Sequence, residues 1–214
     1  MQIFADISEN VQKGRMKAVK ELVEAALAEG ISAERILSEA LVPGMGVIGE
    51  RFKNGKAYVP EVLMAARAMT AGTELLKPHL AAAGAVAAGR VCIGTVQGDL
   101  HDIGKNLVRM MMEGKGLEVI DLGTDVPAEE FVRCAVEKDC RIICCSALLT
   151  TTMDVMADVV RAAEAAGIRD KVYIMVGGAP ISEEFCREIG ADCYAADAAT
   201  AADAAVAYCR EKAE

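Results

Sequence analysis

Residues 94–106 read GTVQGDLHDIGKN and hold His101, one of only two histidines in 214 residues. Asp99 lies two positions before it and Asp102 one after, with Gly98 and Gly104 to either side. On a loop, a carboxylate at that spacing reaches one ring nitrogen. It fixes the tautomer and leaves the other nitrogen as a base or a metal ligand. No second histidine and no trio of carboxylates stands nearby, so a cage built wholly of protein ligands does not fit. A metal already chelated by its own macrocycle asks the protein for one ligand, which points to a haem or a corrinoid.

Other polar and small residues fall at comparable places. Ser146 ends an apolar run, either as an ordinary strand-end serine or as a hydroxyl that bonds Asp99 and extends the relay. Thr150, Thr151 and Thr152 read as N-cap chemistry for the next helix or as hydroxyls for a nucleotide tail. Gly177 and Gly178 mark a tight turn, or a stretch where something flat passes close to the backbone.

These residues need a frame, and the second half of the chain supplies one. Short apolar runs at 91–96, 117–123, 141–147, 171–178 and 192–197 alternate with helical segments at 102–114, 127–138, 151–166, 182–189 and 199–212. Five strands each followed by a helix predict a flavodoxin- or Rossmann-like parallel sheet covered on both faces. Ligands bind such open sheets at the carboxyl ends of the strands, where all the polar features above collect.

The first 80 residues are helical throughout. GRMKAVKELVEAALAEG carries an apolar face ending at Gly30, and Ser32 offers an N-cap for a helix expected to stop at Pro43-Gly44. A shorter helical piece at 47–52 follows, and Pro60 opens a long helix with Val62, Ala66, Met69, Thr73 and Leu76 along one stripe. Together they predict a four-helix-type bundle. AAAGAVAAG, 81–89, reads as a linker and hinge, giving domains 1–88 and 89–214.

Composition narrows the function. Hydrophobic residues make up 53%, enough for a real core, and the net charge of −9 argues against nucleic acid as a partner. No apolar run approaches the roughly 18 residues of a membrane span. The acidic start does not read as a secretory signal, so a cytoplasmic location is expected. The eight cysteines form no C-x-x-C pair, and several lie in apolar runs, as core thiols in a reducing compartment do. Zinc or iron–sulfur spacing is not evident.

Asp99-Leu100-His101-Asp102-Ile103-Gly104, then Ser146-Ala147-Leu148, then Gly177-Gly178 resemble the D-x-H-x-x-G, S-x-L and G-G signature of cobalamin-binding domains. FKNGKAYVPEVLMAARAM, 52–69, resembles the helical cap of corrinoid methyltransferase proteins, so the likeness covers nearly the whole chain. The family it resembles is the small corrinoid proteins of methylamine, methanol and methoxy-aromatic methyltransferase systems in methanogens and acetogens.

That resemblance implies His101 as lower axial ligand of cobalt, Asp99 bonded to its remote nitrogen and Ser146 holding Asp99. It implies a nucleotide channel lined by Ser146, Leu148, Thr150, Gly177, Gly178, Tyr194 and Ala195, with Gly104 letting the next helix start beside the ring. Val59, Leu63, Met64 and Met69 are the candidates for an apolar lid. The implied function is a methyl carrier that does no complete reaction alone, cycling between cob(I)alamin and methylcob(III)alamin. One substrate-specific methyltransferase would load it, and a second would pass the methyl to tetrahydrofolate or coenzyme M. A reductive activation protein completes the set of partners. A small subunit of an adenosylcobalamin mutase would not need the helical cap, and a cobalamin-dependent regulator would need a basic DNA-binding helix.

Overall fold

The structure is a computed structural model and describes residues 2–82 and 89–212. Its helical unit begins with α1 (Gln2–Gln12) and α2 (Met16–Ala28). The side chain of Ser32 then accepts the Arg35 N–H at 3.4 Å and caps α3 (Ala33–Ile36), as expected. The chain does not stop at Pro43-Gly44. It passes from α3 through a π-helical turn (Leu37–Leu41) into α4 (Val42–Lys53). In that wide turn the Val42 N–H bonds the Leu37 carbonyl, and Pro43 follows in the first turn of α4, where its missing N–H costs little. The helix therefore continues where a proline-glycine pair suggested a break.

The last helix of this unit, α5 (Val59–Ala82), takes in the first two residues of the expected 81–89 linker. Residues 83–88 of that linker lie outside the described residues. α1 packs on α2 and α4, and α5 packs on α2 and α4. Val19 and Val23 of α2, Met45 and Ile48 of α4, and Val62, Met69 and Leu76 of α5 are buried at the three- and four-residue spacing of helical faces. Each such side chain contributes about 1.5–3 kcal/mol by leaving water. Met69 is part of this core at 1% exposure, so it is unavailable for the expected lid. Of the other three candidates, Val59 and Leu63 are half-buried and Met64 is exposed.

The second unit is a five-stranded, all-parallel sheet in the order β2-β1-β3-β4-β5. Its strands are β1 (Arg90–Val96), β2 (Glu118–Val126), β3 (Ile142–Ser146), β4 (Tyr173–Gly177) and β5 (Cys193–Tyr194). Between and after them run α6 (Ile103–Glu113), α7 (Ala128–Glu137), α8 (Val155–Ala165), α9 (Glu183–Glu188) and α10 (Ala198–Glu211). The central strands β1 and β3 are buried on both faces, which is why they read as unbroken apolar runs rather than alternating ones.

Two features of this sheet place the site. The chain steps from β1 to β2 on one side and then crosses to β3 on the other, leaving a topological switch between β1 and β3. Register aligns Thr95 of β1 with Ser146 of β3, and Ser146 with Gly177 of β4, so three strand ends finish level. The loops that follow β1 and β3 open into the same crevice. None of the helices described is long and apolar enough to cross a membrane.

Candidate functional site

Asp99 is fully buried at the end of the β1 loop, and all the order of the site converges on it. Its Oδ1 accepts the His101 backbone N–H at 3.0 Å and lies 2.7 Å from His101 Nδ1. Its Oδ2 accepts the N–H groups of Leu148 at 2.7 Å and Leu149 at 3.2 Å, and the Thr152 hydroxyl stands 3.2 Å away. Burial by itself would raise the pKa of this carboxyl. The bonds from Leu148, from both the backbone and ring of His101, and from Leu149 outweigh it and hold the group well below the ordinary carboxylate range.

A carboxylate can only accept, so His101 Nδ1 carries the hydrogen and Nε2 of the neutral ring keeps a free lone pair. The ring is 52% exposed although its partner has no exposed surface, so the pair is anchored at one nitrogen and open at the other. Thr95 fixes the loop further by donating its hydroxyl to the His101 carbonyl at 2.7 Å.

β2 clamps the same loop from its other side. Gly98, at φ +83, donates its N–H to Asp125 Oδ1 at 2.7 Å, while the Asp125 N–H bonds the Asp99 carbonyl at 3.0 Å. Asp125 itself is held at φ +57, a left-handed conformation that costs a non-glycine residue free energy and persists because these bonds impose it. Asp102 accepts the Asn106 side-chain amide at 3.0 Å at the start of α6. One turn further in, buried Lys105 lies 2.6 Å from Asp121 of β2 and ties that helix to the sheet.

The expected relay through Ser146 is made differently. Ser146 is half-buried at its strand end, and among the described residues it makes no side-chain hydrogen bond to Asp99. Thr152 supplies the hydroxyl instead, because the turns over residues 149–154 fold it back over the carboxylate. None of the three threonines caps α8, which starts at Val155 with Asp154 before it and no side-chain cap.

Of the remaining expected residues, Gly177, Gly178, Tyr194 and Ala195 gather at the ends of β4 and β5. Gly177 is level with Ser146, and Tyr194 pairs with Val176. Tyr194 packs against the sheet core and Ala195 is buried. Gly178 sits at φ +135, and a Cβ there would come within 1.8 Å of the Ala147 carbonyl oxygen. Leu148 and Thr150 are exposed on the β3 loop. A Cβ at Gly104 would meet nothing within 4 Å, so packing inside the chain does not require glycine there.

Leu100, Ile103, Leu148 and Leu149 are exposed on the two loops that carry His101 and bond Asp99. Large apolar side chains collected beside a polar anchor mark a place where something binds. Nothing in residue type marked Asp125, near the end of β2, or Leu149, on the β3 loop, as a partner of the His101 loop. The sequence signal for Asp125 was its place in LGTDVP, at the carboxyl end of a strand.

A family profile described as a B12 binding domain matches residues 89–207, and another with the same description matches residues 3–77. The chain is 42% identical over 199 residues to dimethylamine corrinoid protein 3 of Methanosarcina acetivorans, covering 93% of each. The chain belongs to the B12-binding corrinoid proteins. Two solved structures share its fold. In the crystal structure of the methanol:cobalamin methyltransferase complex from Methanosarcina barkeri, one chain matches with a TM-score of 0.86 and 31% identity over 98% of this chain and 80% of that one. A cobalamin-binding protein from Desulfitobacterium hafniense matches with a TM-score of 0.79, also at 31% identity, over 97% of both chains.

The cofactor of this corrinoid protein is cobalamin or a related corrinoid, and the donor set fits it. A corrinoid brings its cobalt already held by ring nitrogens, and the loop offers one imidazole with a free lone pair beside a collar of exposed leucine and isoleucine.

Proposed function

We propose that this chain carries methyl groups between methyltransferases, with domains 1–88 and 89–214 as cap and cofactor carrier. The observation that carries the proposal is the His101–Asp99 pair, bonded at Nδ1 and open at Nε2. In this reading His101 Nε2 would hold the cobalt, which when bound would supply a centre that accepts and gives up a methyl cation equivalent. The chain's own part is to hold the imidazole still and set its basicity. Asp99 does both, since a carboxylate kept ionised by Leu148, Leu149 and Thr152 draws the Nδ1 hydrogen and enriches Nε2. The apolar collar, with Asp102, Ile103 and Gly104 at the start of α6, receives the ring. Ser146, Leu148, Thr150, Gly177, Gly178, Tyr194 and Ala195 receive the nucleotide tail.

A methyltransferase partner is supported by the relative solved within a methanol:cobalamin methyltransferase complex. The fuller system has a substrate-specific enzyme that loads the methyl, a second that passes it to tetrahydrofolate or coenzyme M, and a reductive activation protein, all in the cytoplasm. The test is anaerobic: the chain is loaded with methylcobalamin and mixed with an acceptor methyltransferase and either acceptor. One methyl transferred per bound cobalamin, with return to the cob(I)alamin spectrum, is expected. A cofactor that stays methylated with every acceptor system, while free methylcobalamin reacts, would overturn the proposal.

A further inference from the structure

Cys92, Cys134 and Cys140 are scattered through the chain but meet in the sheet unit, their sulfurs all within 4.8 Å of one another. Cys92 is the third residue of β1, Cys134 lies on α7 and Cys140 stands two residues before β3. The cluster is therefore at the amino end of the central strands, whereas His101 follows their carboxyl end. All three thiols are buried. The Cys92 thiol lies 3.8 Å from the Phe131 carbonyl and 3.7 Å from the Ile142 carbonyl, both weak acceptors, and it also bonds the Cys140 thiol.

We propose that Cys92, Cys134 and Cys140 form a binding site for a three-coordinate, thiophilic trivalent ion, for which arsenite is the simplest ligand. Three thiolates select soft centres over oxygen-seeking ones. A metal–thiolate bond of about 2.3 Å puts sulfurs round one centre no more than about 4 Å apart, and sulfurs that already lie within 4.8 Å of one another reach that spacing by small side-chain adjustments. Zinc takes a fourth ligand, and the group contains no fourth cysteine, histidine or carboxylate among the described residues.

Charge decides between the soft ions that remain. Three thiolates with a trivalent centre sum to zero, whereas a divalent or monovalent metal leaves net negative charge in a buried apolar site. The binding step balances without any oxidant or reductant. Arsenous acid, As(OH)3, loses three As–O bonds and gains three As–S bonds. Each thiol proton leaves with a hydroxide as water, and arsenic stays trivalent. Access comes beside the carboxyl-terminal end of α7, where Cys134 on the helix and Cys140 just beyond it keep 6% and 4% of their surface exposed.

Arsenite titration of the reduced full-length chain, followed by native mass spectrometry, tests the site. One arsenic per chain, with a mass gain matching loss of three waters, is expected, and it should be lost in Cys140→Ser but kept in Cys193→Ser. X-ray absorption at the arsenic edge of the unaltered chain gives a readout that does not depend on any variant folding. Three sulfur neighbours and no oxygen support the site. No bound arsenic, oxygen in the coordination shell, or binding unchanged in a folded Cys140→Ser chain would overturn it.

Discussion

His101 Nδ1 lies 2.7 Å from Oδ1 of Asp99, the pair combining a fully buried carboxylate with a half-exposed ring. Asp99 is the member on which the loops depend. Its two oxygens collect two contacts from His101 and three from the β3 loop, so the carboxylate joins the two sides of the crevice.

Asp99→Asn should therefore destabilise the fold as well as free the ring. Either orientation of the amide turns an NH2 group towards donors that now have no acceptor. The expected loss is about 3 kcal/mol in urea unfolding, the scale of leaving buried donors unpaired. A change below about 1 kcal/mol would mean that these bonds do not hold the loops.

The same residue sets an acid limit. Its folded-state pKa is depressed, so its contribution is fully present above the unfolded carboxylate value near 4 and is lost as pH falls below it. Urea midpoints measured from about pH 6 down to about pH 3 should fall more steeply for the unaltered chain than for Asp99→Asn. Parallel curves would contradict the assignment.

Much of this was legible in the sequence. The strands of the sheet are short apolar runs because the central ones are covered on both faces, and the His101–Asp99 pair is local enough to read from a two-residue spacing. The partners of Asp99 were not. Thr152 is 53 residues away and reaches it only through the turns at 149–154, which no periodicity encodes. Ser146 was expected from the motif, but among the described residues its hydroxyl makes no bond to Asp99. Pro43 misled because a π turn, invisible in residue type, precedes it.

Two substitutions separate those hydroxyls. Thr152→Val keeps the shape and removes one bond to an ionised group, for an expected loss of about 1.5–3 kcal/mol. Ser146→Ala should change stability by less than about 0.5 kcal/mol. Thermal melts of the two variants decide it, and the reverse order would restore the relay through Ser146.

Gly178→Ala tests the ends of β3 and β4. The added Cβ would stand 1.8 Å from the Ala147 carbonyl oxygen at φ +135, so backbone has to move. A loss of about 3 kcal/mol or more is expected, from strain and clash together. Gly104→Ala, with open space around it, should leave the cobalamin-free chain within about 0.5 kcal/mol of the parent. Weaker cobalamin binding by that variant, with stability unchanged, would mark the space as the cofactor's.

The most direct measurement concerns the nitrogen on cobalt. The chain has two histidines, His79 and His101, so labelling histidine with nitrogen-15 marks only two rings. Electron paramagnetic resonance of the cob(II)alamin-loaded chain should show cobalt lines split by one nitrogen, changing from threefold to twofold on labelling. The change should persist in His79→Ala and disappear in His101→Ala. A splitting indifferent to the label would show that His101 does not bind the cobalt.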